Sequence, residues 1–195
     1  GLVAADTAAL ETLAERLRGA LADGTAEGLA DPNIAIGFGP ARDGKTAFLF
    51  PGQGSQYVGM GADLALAFPG ALAVWDAIDG DLADLHRVVF PEPAFDPASA
   101  ETQRTTLTAM HNAQPAIAAT SLAQLALLEV LGVRADAAAG HSFGEVSALA
   151  AAGVLPTHRL VDTARMRGML MAEAGQGKDG AMPVSYTHLT LPTKA

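Results

Sequence analysis

The 195-residue sequence contains no cysteine, and this absence excludes several chemistries at once. Without thiols the chain cannot form a disulfide, attack a substrate through a thiolate or bind zinc through sulfur. The spacing of the five histidines matches no metal-binding pattern such as HExxH; they are His86, His111, His141, His158 and His188. We therefore expect no bound metal.

Basic residues are also scarce, since 12 lysines and arginines face 21 aspartates and glutamates, for a net charge of −9. Nucleic acids and anionic membranes attract proteins through a positive field, which this composition does not provide. Residues 1–19 carry acids among apolar positions and no basic leader, unlike a signal peptide or a membrane span. We expect a cytoplasmic location, with neither nucleic acid nor membrane as a partner. The missing initial methionine suggests a piece of a longer protein.

Half of the residues are hydrophobic and 17% are charged, which predicts a folded body. Residues 6–23 have helical apolar spacing, and a stretch rich in glycine, aspartate and proline follows to residue 45. We assign residues 1–45 to a helical linker and residues 46–184 to the N-terminal part of a domain. Residues 185–195, "SYTHLTLPTKA", have no acid and no helical period. They resemble a translated adapter, and a native C-terminal strand is the alternative.

Strands and helices alternate along the domain. The run "TAFLF", residues 46–50, predicts a buried strand, and "ADAAAG", residues 135–140, predicts a second one. Three prolines in "PEPAFDP" predict a loop at residues 91–97. The longer helices are predicted at residues 113–133, 143–152 and 156–174. This order favours an α/β fold with a parallel sheet flanked by helices.

The pentapeptide "GHSFG", residues 140–144, matches the G-x-S-x-G pattern of a nucleophile elbow. A sharp turn between strand and helix exposes the serine oxygen, and the glycines avoid collisions there. The N-terminus of the following helix favours a developing oxyanion. Ser142 is therefore a candidate nucleophile, and an ordinary helix-capping serine is the alternative.

A nucleophilic serine needs a base, and the chain offers no obvious one. In the hydrolase order the histidine follows the serine, which leaves His158 at a helix start and His188 in the atypical tail. His141 is adjacent in sequence, but neighbouring side chains diverge around such a turn. We interpret His141 as structural support.

Two glycine-rich segments precede the elbow. Residues 39–46 match the phosphate-binding pattern G-x-x-x-x-G-K-[ST], which requires a helix to begin at the lysine. Because Lys45 leads into a predicted strand, we do not expect a phosphate site. Residues 50–61, "FPGQGSQYVGMG", form a turn that could approach a ligand closely, with a plain turn as the alternative.

Two arginines lie in the predicted helix 156–174. Arg165 is three residues from Asp162, so a surface ion pair is predicted for it. Arg167 falls on the apolar face of the helix. A guanidinium directed into a domain needs an anionic partner, which comes from the protein or from a ligand.

Four segments in this order resemble the acyltransferase domains of modular polyketide and polyunsaturated fatty acid synthases, and the malonyl-CoA:acyl carrier protein transacylases. They are "FLFPGQGSQYVGMG", "AQPAIAA", "GHSFGEVSALAAAGVL" and "RMRGMLM", and the resemblance covers residues 46–183. It implies an α/β-hydrolase-like large subdomain, with the family's ferredoxin-like small subdomain missing. Residues 1–45 resemble the segment that joins a ketosynthase to its acyltransferase.

The resemblance also implies an activity and its residues. The family transfers an acyl group from coenzyme A to its own serine and then to the phosphopantetheine thiol of an acyl carrier protein. By resemblance Ser142 is the nucleophile, the backbone amides of Gln53 and Phe143 form the oxyanion hole, Arg167 holds the malonyl carboxylate, and Gln114 lies near the site. Phe143 favours malonyl over methylmalonyl. The implied partners are malonyl-CoA, a carrier protein and a ketosynthase, with no tightly bound cofactor.

One departure from the family concerns the base, because the family's catalytic histidine comes after the point where the similarity stops. We therefore predict that the chain as given is inactive or nearly so. Two other functions remain open: a serine esterase or thioesterase that transfers the acyl group to water, and a non-catalytic docking segment.

Overall fold

The computed structural model describes residues 1–37 and 44–175, which fall into two compact units, Gly1–Gly44 and Lys45–Ala195. In the first unit, helix α1 (Thr7–Ala22) begins at Asp6, whose carboxylate accepts a hydrogen bond from the Ala9 amide at 2.8 Å. Gly24 follows the helix with a φ of 67° and stops it. The predicted helix is confirmed, but the described residues cover its apolar face only in part, since no residue of α1 is fully buried.

The second unit contains a parallel pair of strands, β1 (Ala47–Phe50) and β2 (Ala137–Gly140), with Ala47 opposite Ala137 and Phe50 opposite Gly140. The α/β class with a parallel sheet is thereby confirmed. β1 starts two residues after Lys45, so no helix begins at that lysine.

The expectation that β1 is a buried strand is wrong. Phe50 is buried, whereas Leu49 is 77% exposed. Side chains alternate between the two faces of a strand, and one face packs against the helix that follows β2 while the other is left uncovered by the described residues.

Helices make up most of the second unit. They are α2 (Ala62–Ala67), α3 (Pro69–Asp76), α4 (Leu85–Val89), α5 (Pro97–Thr108), α6 (Met110–Val130), α7 (Gly144–Ala151) and α8 (Leu160–Gly175). The long helix α6 forms the centre, and α3, α8 and the elbow pack around it in one hydrophobic core. A Cβ added to Gly168 of α8 would lie 2.4 Å from the Met110 carbonyl oxygen, which shows how closely α8 approaches the start of α6. None of the described helices is both long and apolar enough to cross a membrane.

The structure differs from the sequence-based expectation at three helix starts. The whole of α5 was not predicted, although Asp96 caps it by accepting a hydrogen bond from the Ser99 amide at 2.9 Å, and Pro97 occupies its first turn. Helix α6 begins three residues before 113 and contains Pro115. Helix α8 begins at Leu160, because a 3₁₀ turn at Thr157–Arg159 separates it from Pro156.

Candidate active site

Ser142 lies in the turn between β2 and α7 with a φ of 54°, in the left-handed region. Among the described residues it is the only non-glycine residue with a positive φ. Such a backbone costs about 1–3 kcal/mol and persists where the surroundings impose it. The turn is closed by two hydrogen bonds, from the Gly144 amide to the His141 carbonyl at 2.8 Å and from the Glu145 amide to the Ser142 carbonyl at 3.2 Å.

Both glycines of the G-x-S-x-G pattern are required by close packing. A Cβ at Gly140 would lie 2.1 Å from the carbonyl carbon and oxygen of Gly144. A Cβ at Gly144 would lie 2.1 Å from the Phe50 carbonyl oxygen at the end of β1. These contacts are far shorter than any real Cβ contact, so the turn forms only with glycine at both positions.

The turn after β1 lies directly against the elbow. A Cβ added to Gly52 would lie 2.2 Å from the His141 carbonyl oxygen and 3.0 Å from the Ser142 Cβ. The structure therefore places the backbone on the N-terminal side of Gln53 next to the serine. This juxtaposition joins the glycine-rich segment 50–61 to the elbow, which no local sequence pattern indicates.

Several backbone amides at this junction have no partner within residues 1–37 and 44–175. The amides of Gln53 and Phe143 donate to no residue there, and neither do the amides of Gly52 and Ser142. The turns on either side of Ser142 therefore contain several unpaired backbone donors, and the Gln53 and Phe143 amides are two of them.

A second polar pair joins α6 to α8. The Arg167 Nη1 donates to Gln114 Oε1 at 2.9 Å, and Gln114 Nε2 contacts Met171 Sδ at 3.4 Å. Gln114 is completely buried, and Arg167 is partly buried. No sequence pattern indicates the contact with Met171, because a pairing between a buried amide and a thioether has no characteristic spacing.

Arg167 has no carboxylate partner within the described residues. The ion pairs there are Arg16–Asp31, Arg87–Asp84 and Arg104–Glu101. The ion pair predicted between Arg165 and Asp162 is not among them, so that prediction is wrong. Among the described residues, the guanidinium of Arg167 is hydrogen-bonded to the side-chain oxygen of Gln114, which is neutral and does not compensate the positive charge.

The elbow and the arginine pair share one core. Phe143, which follows Ser142, is completely buried in the same cluster as Ile117 of α6 and Ala164 of α8, one turn from Gln114 and Arg167 respectively. The structure brings Gly52 and Gln53 to Ser142, and Gln114 to Arg167. Within the described part of the chain, no hydrogen bond joins the serine to the arginine.

None of the four histidines within the described ranges donates to or accepts from Ser142. The His86 ring contacts the Ala83 carbonyl at 2.8 Å. His158 lies in the 3₁₀ turn before α8, where it lines a cavity between α3, α6 and α8 that does not include Ser142. His141 is exposed. His188 and the segment 185–195 lie outside the described residues. Residues 1–37 and 44–175 contain no group of three or more histidine, aspartate or glutamate side chains that could hold a metal ion.

The chain matches known proteins over most of the second unit. The sequence profile described as the acyl transferase domain matches residues 47–191. The malonyl CoA-acyl carrier protein transacylase of Bacillus subtilis (strain 168) is 43% identical over 139 residues, which are 71% of this chain and 41% of that protein. The acyltransferase domain from the second module of the salinomycin polyketide synthase has a TM-score of 0.66 and 37% identity, covering 87% of this chain and 37% of that one.

A third relative is a malonyl-transacylase solved in complex with a type II polyketide synthase acyl carrier protein, with a TM-score of 0.57 and 38% identity, covering 67% of this chain and 40% of that one. The chain thus spans about two fifths of the length of these relatives. The residues matched by the acyl transferase domain profile, 47–191, include both the elbow and the helix that carries Arg167. The chain therefore belongs to the acyl transferase domain family.

Proposed function

We propose that this chain carries the nucleophile-bearing part of an acyltransferase that moves a malonyl group from coenzyme A to the phosphopantetheine thiol of an acyl carrier protein. The observation that carries the proposal is the left-handed backbone of Ser142 at a strand-to-helix turn. Strain of this kind at a partly exposed side chain is typical of a functional residue.

In the proposed first half-reaction, the Ser142 hydroxyl oxygen attacks the thioester carbonyl of malonyl-CoA and loses its proton to a base. The carbonyl oxygen becomes negatively charged, and the Gln53 and Phe143 amides are the donors that stabilise it. The carbon–sulfur bond then breaks, coenzyme A leaves as a thiol after taking up a proton, and a malonyl ester of Ser142 remains. In the second half-reaction the carrier-protein thiol loses its proton and its sulfur attacks the ester carbonyl. The bond between the acyl carbon and the Ser142 oxygen breaks, the serine oxygen takes up a proton, and the malonyl group is left as a thioester of the carrier protein.

Arg167 is the proposed binding group for the free carboxylate of the malonyl moiety. It is a partly buried cation without a carboxylate partner among the described residues, and a planar guanidinium can bind a carboxylate through two hydrogen bonds. Gln114 fixes the guanidinium through Nη1, which leaves the other nitrogens for a substrate. This role makes the site selective for acyl groups that end in a carboxylate.

The proposed partners follow from the family. A malonyl-transacylase of the same fold forms a complex with its acyl carrier protein, which supports a carrier protein as the acceptor here. The similarity to a polyketide synthase domain supports a ketosynthase as a further partner. Malonyl-CoA is the proposed donor, consistent with the names of the relatives.

Within the described residues no histidine is hydrogen-bonded to Ser142, and this limits the activity that we expect from this chain alone. General base catalysis contributes about 10²–10⁴-fold to such reactions. Acylation should therefore be slower than in a complete transacylase by a factor of this order. Free imidazole, supplied in solution, should restore part of the rate.

The test is incubation of the chain with radiolabelled malonyl-CoA, imidazole and a carrier protein bearing phosphopantetheine. The proposal predicts labelled carrier protein that requires Ser142, so Ser142→Ala should abolish it. Ser147→Ala is the matched control, since Ser147 is a buried serine of α7, the helix that follows Ser142, and its hydroxyl has no hydrogen-bond partner among the described residues. Label that appears as free malonate, with or without carrier protein, would instead support an esterase. Label that is independent of Ser142 would contradict both functions.

A further inference from the structure

The turn after β1 is closed by a serine to which the proposed acyl transfer assigns no role. Ser55 donates twice to the Gly52 carbonyl oxygen, from its hydroxyl at 2.8 Å and from its backbone amide at 3.2 Å. These two hydrogen bonds match the two lone pairs of that oxygen. Gly54 has a φ of 102°, and a positive φ is what a type II turn requires at its third position. Residues 52–55 therefore form a closed turn.

The hydrogen bond from the Ser55 hydroxyl is the shorter of the two. Its length of 2.8 Å is the ordinary one for a hydroxyl donor, whereas 3.2 Å is at the long limit for a backbone amide. The hydroxyl is therefore the tighter constraint on the direction of the Gly52 carbonyl.

The direction of the Gly52 carbonyl also determines the direction of the Gln53 N–H. The two groups belong to one peptide unit, which is planar and trans, so the N–H points opposite to the carbonyl and away from Ser55. The Gln53 amide donates to no residue within 1–37 and 44–175, and it is one of the two donors proposed for the oxyanion. A rotation of this peptide unit would turn that donor away.

The two proposed oxyanion donors differ in what holds them. The Phe143 amide lies at the start of α7, and the carbonyl of its peptide unit, that of Ser142, accepts the Glu145 amide in the first turn at 3.2 Å. Gln53 lies between β1 and α2, outside every described helix and strand. The direction of the Gln53 donor therefore depends on the turn that Ser55 closes.

We propose that Ser55 is a positioning residue for the acyl transfer: its hydroxyl fixes the peptide unit between Gly52 and Gln53 and so keeps the Gln53 N–H directed as an oxyanion donor. The role of that donor rests on the proposed function, whereas the hold of Ser55 on the peptide unit does not. Loss of an oxyanion donor lowers the rate about 10²–10³-fold. Loss of the Ser55 hydroxyl should have a smaller effect, because the donor remains and only its direction changes.

The first measurement is the direction of the Gln53 N–H in the full chain, from its residual dipolar coupling in a weakly aligned NMR sample. Ser55→Ala removes the hydroxyl and keeps the backbone amide, and Ser55→Thr keeps a hydroxyl at an exposed position with room for a methyl group. We expect the Gln53 coupling to change in Ser55→Ala and to return in Ser55→Thr. The Gly144 coupling should stay constant, because that amide is held by His141. An unchanged Gln53 coupling in Ser55→Ala would overturn the proposal.

The second measurement is the rate of malonyl labelling of Ser142 with imidazole, as a function of the malonyl-CoA concentration. Ser55→Ala should lower the maximal rate about fivefold, the effect of losing one neutral hydrogen bond. The half-saturating concentration should not change, because the oxyanion exists only beyond the bound state. Ser55→Thr should recover most of the rate. Thr106→Ala is the matched control, since it removes an exposed hydroxyl that donates to the Thr102 carbonyl at 2.8 Å in α5, and it should leave the rate unchanged.

Failure of the role of Ser55 and failure of the proposed function give different results. A maximal rate in Ser55→Ala equal to that of the unsubstituted chain, or an equal fall in Thr106→Ala, would overturn the role of Ser55 and leave Ser142 as the nucleophile. A raised half-saturating concentration at an unchanged maximal rate would assign Ser55 to substrate binding and would also overturn it. An unsubstituted chain without label would contradict the proposed function, and the Gln53 coupling alone then decides whether Ser55 holds the peptide unit.

Discussion

The contact between Gly52 and the elbow makes Gly52→Ala the most informative substitution for the geometry of the site. The new Cβ would lie 2.2 Å from the His141 carbonyl oxygen and 3.0 Å from the Ser142 Cβ, so one of the two turns must move. Both atoms belong to a turn that is already closed by hydrogen bonds, so moving the turn would weaken those bonds. Overpacking of this kind costs about 1–3 kcal/mol. For a unit of this size, we expect a fall in melting temperature of about 3–10 °C.

The assay is thermal unfolding followed by the fluorescence of the single tryptophan, which lies in the second unit. Gly70→Ala is the matched control, because a Cβ there meets nothing within 4 Å and the residue lies in α3. Alanine has the higher helix propensity, so the control should be neutral or more stable by up to about 1 kcal/mol. Gly52→Ala should also slow acylation of Ser142, since it separates the two turns. A Gly52→Ala variant as stable and as readily acylated as the control would refute the geometric argument.

Three further predictions concern single side chains. Ser142→Gly should relieve the strain of the left-handed backbone and raise the free energy of unfolding by about 1 kcal/mol, measured by urea titration. The variant should also lose acyl labelling. A variant less stable than the original chain would show that the backbone at Ser142 is not strained. In competition labelling, Arg167→Ala should lower the preference for malonyl-CoA over acetyl-CoA by about 10- to 100-fold, and Gln114→Ala should lower it by about fivefold. An unchanged preference in Arg167→Ala would show that Arg167 does not bind the malonyl carboxylate. The Ser99 hydroxyl, and then its amide, hold the pKa of the Asp96 carboxyl below its ordinary value of 3.8. The stabilisation of α5 by this cap is therefore present above pH 3.8 and is lost as the pH falls through the lower pKa of the folded chain; a carboxyl ¹³C titration that finds the pKa at or above 3.8 would contradict it.

Local patterns predicted the parts of the site that local geometry determines. The G-x-S-x-G pentapeptide indicates a strand-to-helix turn because its glycines permit close packing, and the structure has that turn at Ser142. The two strands were predicted from short apolar runs, and their parallel pairing follows from the helices between them.

Contacts between distant segments were harder to predict. The packing of Gly52 against Ser142 joins residues 90 positions apart, and no periodicity encodes it. The exposure of Leu49 depends on which layers cover the sheet, so hydrophobicity alone predicted burial wrongly. Helix α5 was missed because its apolar residues are few, and its caps at Asp96 and Pro97 lie inside a segment that its prolines marked as a loop.

The most direct test of the account is to locate the malonyl group itself. The chain is incubated with malonyl-CoA and imidazole, digested, and its peptides are sequenced by mass spectrometry. The account predicts one malonyl ester, on the peptide that contains residues 140–144 and at Ser142, formed slowly without imidazole and faster with it. A malonyl group on another residue, or none in the presence of imidazole, would contradict the claim that Ser142 is the nucleophile.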